Sequence, residues 1–159
     1  MADQAVEQKK PSLIGRRSIL LGVVAVGGAG AFGANWFNIN AEITADALSV
    51  GDAHEKSVAG DIVLIDIRRP DEWARTGIGE GAQPLDMRRD DFTDELLKIT
   101  AGRTDTPVAL ICARGVRSRK MTARLTEAGF TRIIDVPEGM LGSGAGPGWL
   151  RAKLPVTKP

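Results

Sequence analysis

The chain has 159 residues, of which 43% are hydrophobic and 26% charged, so it is long enough for one globular domain with appended sequence but not for two. Its 21 basic and 20 acidic residues nearly cancel and only 4% of its residues are aromatic, which argues against a nucleic-acid-binding surface. The single cysteine and the single histidine exclude an internal disulfide and a metal site built on several thiolates or histidines.

The N-terminal 41 residues differ in kind from the rest. Basic residues precede a stretch without charge at 18–41, and its apolar part covers 19–37. This order is typical of an export signal or a membrane anchor. Residues 15–21 resemble the twin-arginine export signal, because Arg16 and Arg17 are followed by one spacer and two bulky apolar residues.

Removal and retention of this segment both fit the sequence. Small residues at 29–31 and 31–33 form cleavage patterns, whereas residues 18–37 are long enough to remain as a membrane anchor. We therefore predict that residues 1–41 are an export signal or an anchor with a short linker. The domain would then lie outside the cytoplasm, in the periplasm or anchored to the membrane.

From residue 43 onward, strand-like and helix-like segments alternate. We predict helices over 45–59 with Thr44 as cap, from Pro70, over 94–100 with Thr93 as cap, and up to Gly129. We predict strands over 62–66, 82–85, 108–111 and 132–136, and a tail at 157–159. The alternation predicts an α/β fold with a central parallel sheet of about five strands and helices on both faces.

The only cysteine, Cys112, follows the buried strand at 108–111, where ligands bind in open α/β sheets. The turn after it opens a helix, so its backbone N–H groups are expected to form an anion pocket that stabilises the Cys112 thiolate. Gly115 suits a position of positive φ, and Arg114 and Arg117 add positive charge. The alternative is that Cys112 is a small core residue.

Residues 112–118 resemble the active-site loop of the rhodanese-like family, C-R-x-G-x-R-S. The matching residues are Cys112, Gly115, Arg117 and Ser118, whereas Ala113 replaces the usual arginine. Three further segments resemble family motifs: 64–73 (L-I-D-V-R-x-P-x-E-[FYW]), 128–130 (A-G-F) and 149–156 (W-x-x-A-G-L-P-V). The resemblance implies a rhodanese-like three-layer fold over residues 42–156.

Two segments differ from the family pattern. Residues 76–82 lack the histidine of G-H-I-P-G-A and carry one extra residue. The usual G-G-x-x-x-W becomes Glu138-Gly139, with Trp149 delayed by a glycine-rich insertion at 142–148. This insertion is expected to lie near the pocket.

The resemblance implies a sulfurtransferase in which Cys112 accepts a sulfane sulfur from a small anion such as thiosulfate. The persulfide would be held by the loop residues Ala113, Arg114, Gly115, Val116, Arg117 and Ser118, and its sulfur would pass to cyanide, a thiol or a protein. No metal or organic cofactor is needed, and a redox partner protein would keep the thiol active. Asp66 and Arg68 match a family pair that we expect to brace this loop through hydrogen bonds.

Other functions are compatible with a cysteine loop. A cysteine phosphatase or arsenate reductase needs an arginine six residues after the cysteine, where Ser118 stands, and Arg117 comes one residue early. A sulfur carrier without turnover, or a partner-binding module, would use the same loop. The sequence leaves that choice open.

Overall fold

The computed structural model describes Gly33 and residues 36–159. The paired residues Arg16 and Arg17, the small residues at 29–31, and nearly all of the apolar run at 19–37 lie outside the described residues. In the described part of the chain, no helix has the length and apolar character needed to cross a membrane.

Helices and strands alternate through the described chain. The helices are Val50–Ala59 (α1), Pro70–Thr76 (α2), Phe92–Ile99 (α3), Val116–Glu127 (α4) and Gly148–Arg151 (α5). The strands are Val63–Asp66 (β1), Ile78–Gly79 (β2), Ala82–Pro84 (β3), Val108–Ile111 (β4), Ile133–Val136 (β5) and Val156–Thr157 (β6).

Within residues 36–159, the central sheet has four parallel strands in the order β3-β1-β4-β5. Within the described residues, a single parallel bridge between Ala47 and Asp135 extends the sheet beyond β5. The central sheet thus has four strands where about five were expected, and the bridge falls where a helix was predicted, two residues before the actual helix cap, Ser49. Strands β2 and β6 form a separate antiparallel pair.

Alternate residues of the central strands face opposite sides of the sheet, and helices cover both sides. One side packs against α3 and α4 through the buried residues Ile65, Leu110, Phe92, Leu96, Met121 and Leu125. The other packs against α1 and the start of α5 through Leu64, Ala109, Val50, Ala53 and Trp149. The predicted α/β fold with helices on both faces is confirmed.

Several predicted boundaries were wrong. Helix α1 begins at Val50 rather than at residue 45, because the Ser49 hydroxyl, not Thr44, accepts the hydrogen bond from the Asp52 N–H. Helix α3 begins at Phe92, whose fully buried ring belongs to the core. The predicted tail is also shorter, since Thr157 pairs with Ile78 in the β2–β6 sheet.

Residues 36–41 fall at the end of the stretch at 1–41 that was predicted to be an export signal or an anchor with a short linker, but they belong to the same compact unit as the sheet. Asn38 and Ala41 are buried, and the Ala41 N–H donates to the Asn38 carbonyl over 3.0 Å. A linker would leave these groups in water. Residues 36–41 are therefore part of the folded domain.

A buried ion pair lies at the carboxyl end of β1. Arg68 donates to both carboxylate oxygens of Asp66, with Nη2–Oδ2 and Nε–Oδ1 distances of 2.7 and 2.9 Å. Its other bonds go to Thr76 Oγ1 and to the Gly77 carbonyl, both at 2.7 Å. The expectation that this pair braces the cysteine loop was therefore wrong: Arg68 instead ties the end of α2 to β1.

Replacing Arg68 with alanine is expected to lower the free energy of unfolding by about 3–5 kcal/mol, because the Asp66 carboxylate is left buried without its cation. Equilibrium urea unfolding measures the change. Arg88→Ala is the matched control, since Arg88 makes a similar forked pair with Asp86 but is 61% exposed. A loss for Arg68→Ala no larger than that for Arg88→Ala would contradict the prediction.

Candidate active site

Cys112 directly follows β4, and its side chain is 1% exposed. The Gly115 N–H donates to the Cys112 Sγ over 3.2 Å, and the thiol lies 3.6 Å from the Ser118 hydroxyl oxygen. That hydroxyl in turn donates to the Gly115 carbonyl over 3.1 Å. The sulfur therefore lies in a loop that closes around it through a backbone N–H group and a hydroxyl.

Gly115 makes the loop tight enough to reach the sulfur. Its φ of 82° is left-handed, and a β-carbon there would collide with the Pro137 carbonyl oxygen. Helix α4 begins at the next residue, so its positive N-terminal end lies beside Cys112. The expectation of positive φ at Gly115 is confirmed.

The carbonyl groups of this loop point away from the sulfur, and each accepts a hydrogen bond. The donors are the Met140 N–H to Cys112 at 2.8 Å, the Leu141 N–H to Ala113 at 2.9 Å, and the Asn38 side-chain amide to Arg114 at 2.8 Å. A carbonyl and the following N–H point in opposite directions across a trans peptide. These bonds therefore fix the planes of the peptides that surround the sulfur.

The glycine-rich stretch at 138–148 supplies two of these donors and packs tightly against the loop. Gly139 approaches the Ala113 backbone so closely that a β-carbon would lie 2.6 Å from its carbonyl. The buried Glu138 carboxylate accepts hydrogen bonds from the N–H groups of Val50 and Gly148, both at 3.0 Å. The insertion predicted at 142–148 does lie near the pocket, because the Gly142 carbonyl accepts a hydrogen bond from Arg114 Nη1 over 3.0 Å.

Arg117 forms a forked ion pair with Glu72 of α2, with both Nη–Oε distances at 2.7 Å. The hydrogen bond to Glu72 raises the pKa of Arg117 against the effect of burial, and the nearby Cys112 adds to the rise. Burial alone would raise the pKa of Glu72, but the bonds from Arg117 and the Arg69 backbone lower it to about 2. Arg117 thus faces the cysteine as a charged group locked by its partner.

The Arg114 side chain is held at the edge of the loop. Its guanidinium carbon lies 4.7 Å from the centroid of the Phe37 ring, and Nη1 donates to the Gly142 carbonyl over 3.0 Å. The predicted positive charge is present, and the Arg114 side chain contacts both the segment at 36–41 and the glycine-rich stretch.

Asp135 of β5 lies next to Ser118 and Arg119. Burial raises the pKa of its carboxyl, against the lowering effects of Ser118 and of the Arg119 charge. Within the described residues, the Asp135 Oδ1 is buried without a hydrogen-bond partner. The site therefore contains a carboxyl group that can retain a proton more readily than an exposed aspartate.

Among the predicted site residues, Gly115, Arg117 and Ser118 lie around Cys112, while Ala113 and Val116 contribute backbone. Asn38, Glu72 and Asp135 were not predicted as site residues. Glu72 was recoverable from its place in the motif at 64–73, and Asp135 from its position near the carboxyl end of a strand. In the described part of the chain, no three Asp, Glu, His or Cys side chains group together in a way that could hold a metal ion.

A parallel α/β sheet with a cysteine loop at a strand end is typical of proteins that hold a thiolate in a cradle of backbone N–H groups. Residues 49–142 match the family model described as Rhodanese-like domain. The chain belongs to the rhodanese-like domain family.

Several known proteins are similar to this chain. The tRNA uridine(34) hydroxylase of Chlamydia abortus is 30% identical over 113 residues, which cover 67% of this chain and 34% of that protein. A sulfurtransferase of Allochromatium vinosum is 27% identical over 100 residues, 62% of this chain and 81% of its own length. The polysulfide-sulfur transferase homodimer of Wolinella succinogenes has a similar fold, with a TM-score of 0.55, 24% identity and coverage of 83% and 90% of the two chains.

Glu72→Gln is expected to reduce stability in a pH-dependent way. Because the pKa of Glu72 is lowered from 4.5 to about 2 in the folded protein, its ionised form stabilises the fold above pH 4.5. This contribution is lost as the pH falls through about 2. Urea unfolding of both proteins across this range should show a difference that is largest near neutral pH and shrinks in acid.

Glu95→Gln serves as the control, because Glu95 pairs with the exposed Lys98 on the surface of α3. A Glu72→Gln difference that stays constant with pH would contradict the prediction, since the pair with Arg117 would then not lower the pKa of Glu72.

Proposed function

We propose that this protein is a sulfurtransferase. Its Cys112 thiolate takes a sulfane sulfur from a small anionic donor such as thiosulfate and passes it to a thiophilic acceptor: cyanide, a thiol or a protein. The observation that carries the proposal is the Gly115 N–H directed at the Cys112 sulfur, in a buried loop at the start of α4. Family membership and the sulfur-transfer names of two relatives support it.

The proposed reaction has two displacements. The Cys112 thiolate attacks the outer sulfur of thiosulfate, a new S–S bond forms, and sulfite leaves with the electron pair of the broken S–S bond. The acceptor then attacks the terminal sulfur of the persulfide, and Cys112 is released as the thiolate. Backbone N–H groups of the loop stabilise the negative charge on sulfur in both steps.

The charges around the loop suit an anionic donor. Arg114, Arg117 and Arg119 lie at or beside the loop, whereas Glu72 is the carboxylate paired directly with one of them. The excess of positive charge attracts anions to the site. It does not select among sulfur anions, so thiosulfate and polysulfide remain equal candidates.

A phosphatase or arsenate reductase receives less support. Arg117 lies five residues after Cys112, one short of the position those loops require, and both of its Nη atoms engage Glu72. A guanidinium held in this way is poorly placed to bind two oxygens of a phosphate group.

Incubation of the full-length protein with thiosulfate or inorganic polysulfide should add one sulfur atom, about 32 Da, to Cys112. Intact-mass and peptide mass spectrometry measure the adduct. Addition of cyanide should remove it and release thiocyanate, because the persulfide sulfur is the transferable atom.

Cys112→Ser is the matched control and should acquire no mass from either donor. An adduct that cyanide removes once, without repeated release of thiocyanate when thiosulfate is in excess, would support a sulfur carrier instead of a transferase. Absence of an adduct with both donors would defeat the proposal.

We also propose that the domain works outside the cytoplasm, in the periplasm or at the outer face of a membrane. The support is the sequence at 15–37, where paired arginines precede an apolar run. Since the chain contains one cysteine, a second thiol for reducing an oxidised Cys112 must then come from a partner protein or a small thiol.

Replacing Arg16 and Arg17 together with lysine is expected to retain the full-length protein in the cytoplasm, because the twin-arginine pathway reads the guanidinium pair. Cell fractionation with immunoblotting measures the distribution. Arg88→Lys, a change of the same type within the domain, should leave export intact. A wild-type protein found soluble in the cytoplasm at full length would contradict the proposal.

A further inference from the structure

Asn38 lies outside the region matched by the family model, yet it is hydrogen-bonded to the cysteine loop. Its side chain is 8% exposed, and its amide donates to the Arg114 carbonyl over 2.8 Å. Its side-chain oxygen accepts from Arg119 Nη2 over 3.1 Å. Its own carbonyl accepts from the N–H groups of Ala41 and Gly144, both at 3.0 Å.

The bond to Arg114 acts on one particular peptide unit. The Arg114 carbonyl and the Gly115 N–H belong to the same peptide, and they point in opposite directions because it is trans. Asn38 holds the oxygen on one side, and the N–H on the other side donates to the Cys112 Sγ over 3.2 Å. The orientation of this N–H group therefore depends on the side chain of Asn38.

We propose that Asn38 is a positioning residue that aims the Gly115 N–H at the Cys112 sulfur. The inference deepens the proposed function, on which its catalytic consequence rests. The effect of Asn38 on the reactivity of Cys112 does not depend on whether the protein transfers sulfur.

Asparagine suits this position for two reasons. Its φ of 50° lies in the left-handed region, which asparagine tolerates better than most residues. Its amide also provides a donor for the Arg114 carbonyl and an acceptor for Arg119 at the same time. Aspartate would keep the size, the backbone preference and the acceptor, but it lacks the donor.

The neighbouring residue reinforces the same contact. The Phe37 ring lies against the Arg114 guanidinium, with 4.7 Å between the ring centroid and the guanidinium carbon. The segment at 36–41 thus holds Arg114 by its side chain and by its carbonyl. Both contacts restrict rotation of the peptide that leads into Gly115.

The test compares Asn38→Asp and Asn38→Gly in the full-length chain. The measurement is the rate of Cys112 alkylation by iodoacetamide, followed by mass spectrometry at neutral pH. We expect both variants to react about tenfold more slowly than wild type, since a misaligned N–H group stabilises the thiolate less than an aligned one. Aspartate keeps the acceptor for Arg119, and glycine tolerates the left-handed backbone and adds no charge. Slow reaction in both variants would therefore be due to the amide donor, which both have lost.

Asn40 supplies matched controls, because it is exposed and lies two residues away. Asn40→Asp and Asn40→Gly should react at the wild-type rate. Wild-type reactivity in Asn38→Asp would overturn the proposal, because the packing and the Arg119 contact would then suffice. So would loss of a cooperative thermal transition in both Asn38 variants, which would make the residue part of the folding core.

A thiosulfate–cyanide assay of the same variants separates this inference from the proposed function. We expect the maximal rate to fall about tenfold while the KM for thiosulfate stays within about twofold, because the N–H group acts on the charged sulfur. A wild-type protein that transfers no sulfur, together with slow alkylation of Asn38→Asp, would defeat the sulfurtransferase proposal and keep the role of Asn38.

Discussion

The backbone around Cys112 turns the Gly115 N–H toward the sulfur, and its carbonyl groups are directed into the surrounding protein. A buried carbonyl without a partner costs about 1–3 kcal/mol, so each one needs a donor. The donors come from the stretch at 138–148 and from Asn38, which is 76 residues away from Arg114. Two parts of the chain that are distant in sequence therefore supply the hydrogen-bond donors for the carbonyl groups of one short loop.

Polar contacts also hold the helix that faces this loop. Helix α2 contributes no buried residue, so no fully buried apolar side chain anchors it. It is tied instead through Glu72 to Arg117 of α4, and through Thr76 and Gly77 to Arg68. Since these ion pairs are partly or fully shielded from water, the loss of one partner costs more than it would in a surface pair.

The sequence was informative where a local pattern carried the structure. The apolar run at 108–111, the helix after it and the glycine at 115 together predicted a cysteine loop at a strand end. Local patterns failed where two residues offered the same chemistry, as when Ser49 rather than Thr44 capped α1. They also failed for Asn38, because a contact made by one side chain across 76 positions leaves no periodic signal. Arg68 shows a third kind of failure, since its motif was recognised but the side chain points to α2.

The same geometry bears on which chemistry the loop supports. A tetrahedral oxyanion has three or four oxygens to satisfy, and loops that bind one combine several N–H groups with a free guanidinium fork. Here the fork of Arg117 is occupied by Glu72, and the Cys112 sulfur is contacted by the Gly115 N–H and by the Ser118 hydroxyl. One N–H group, one hydroxyl and a helix N-terminus match a charge localised on one atom, as on a thiolate or a terminal persulfide sulfur. The arrangement of donors thus favours sulfur over phosphate independently of any similarity to known proteins.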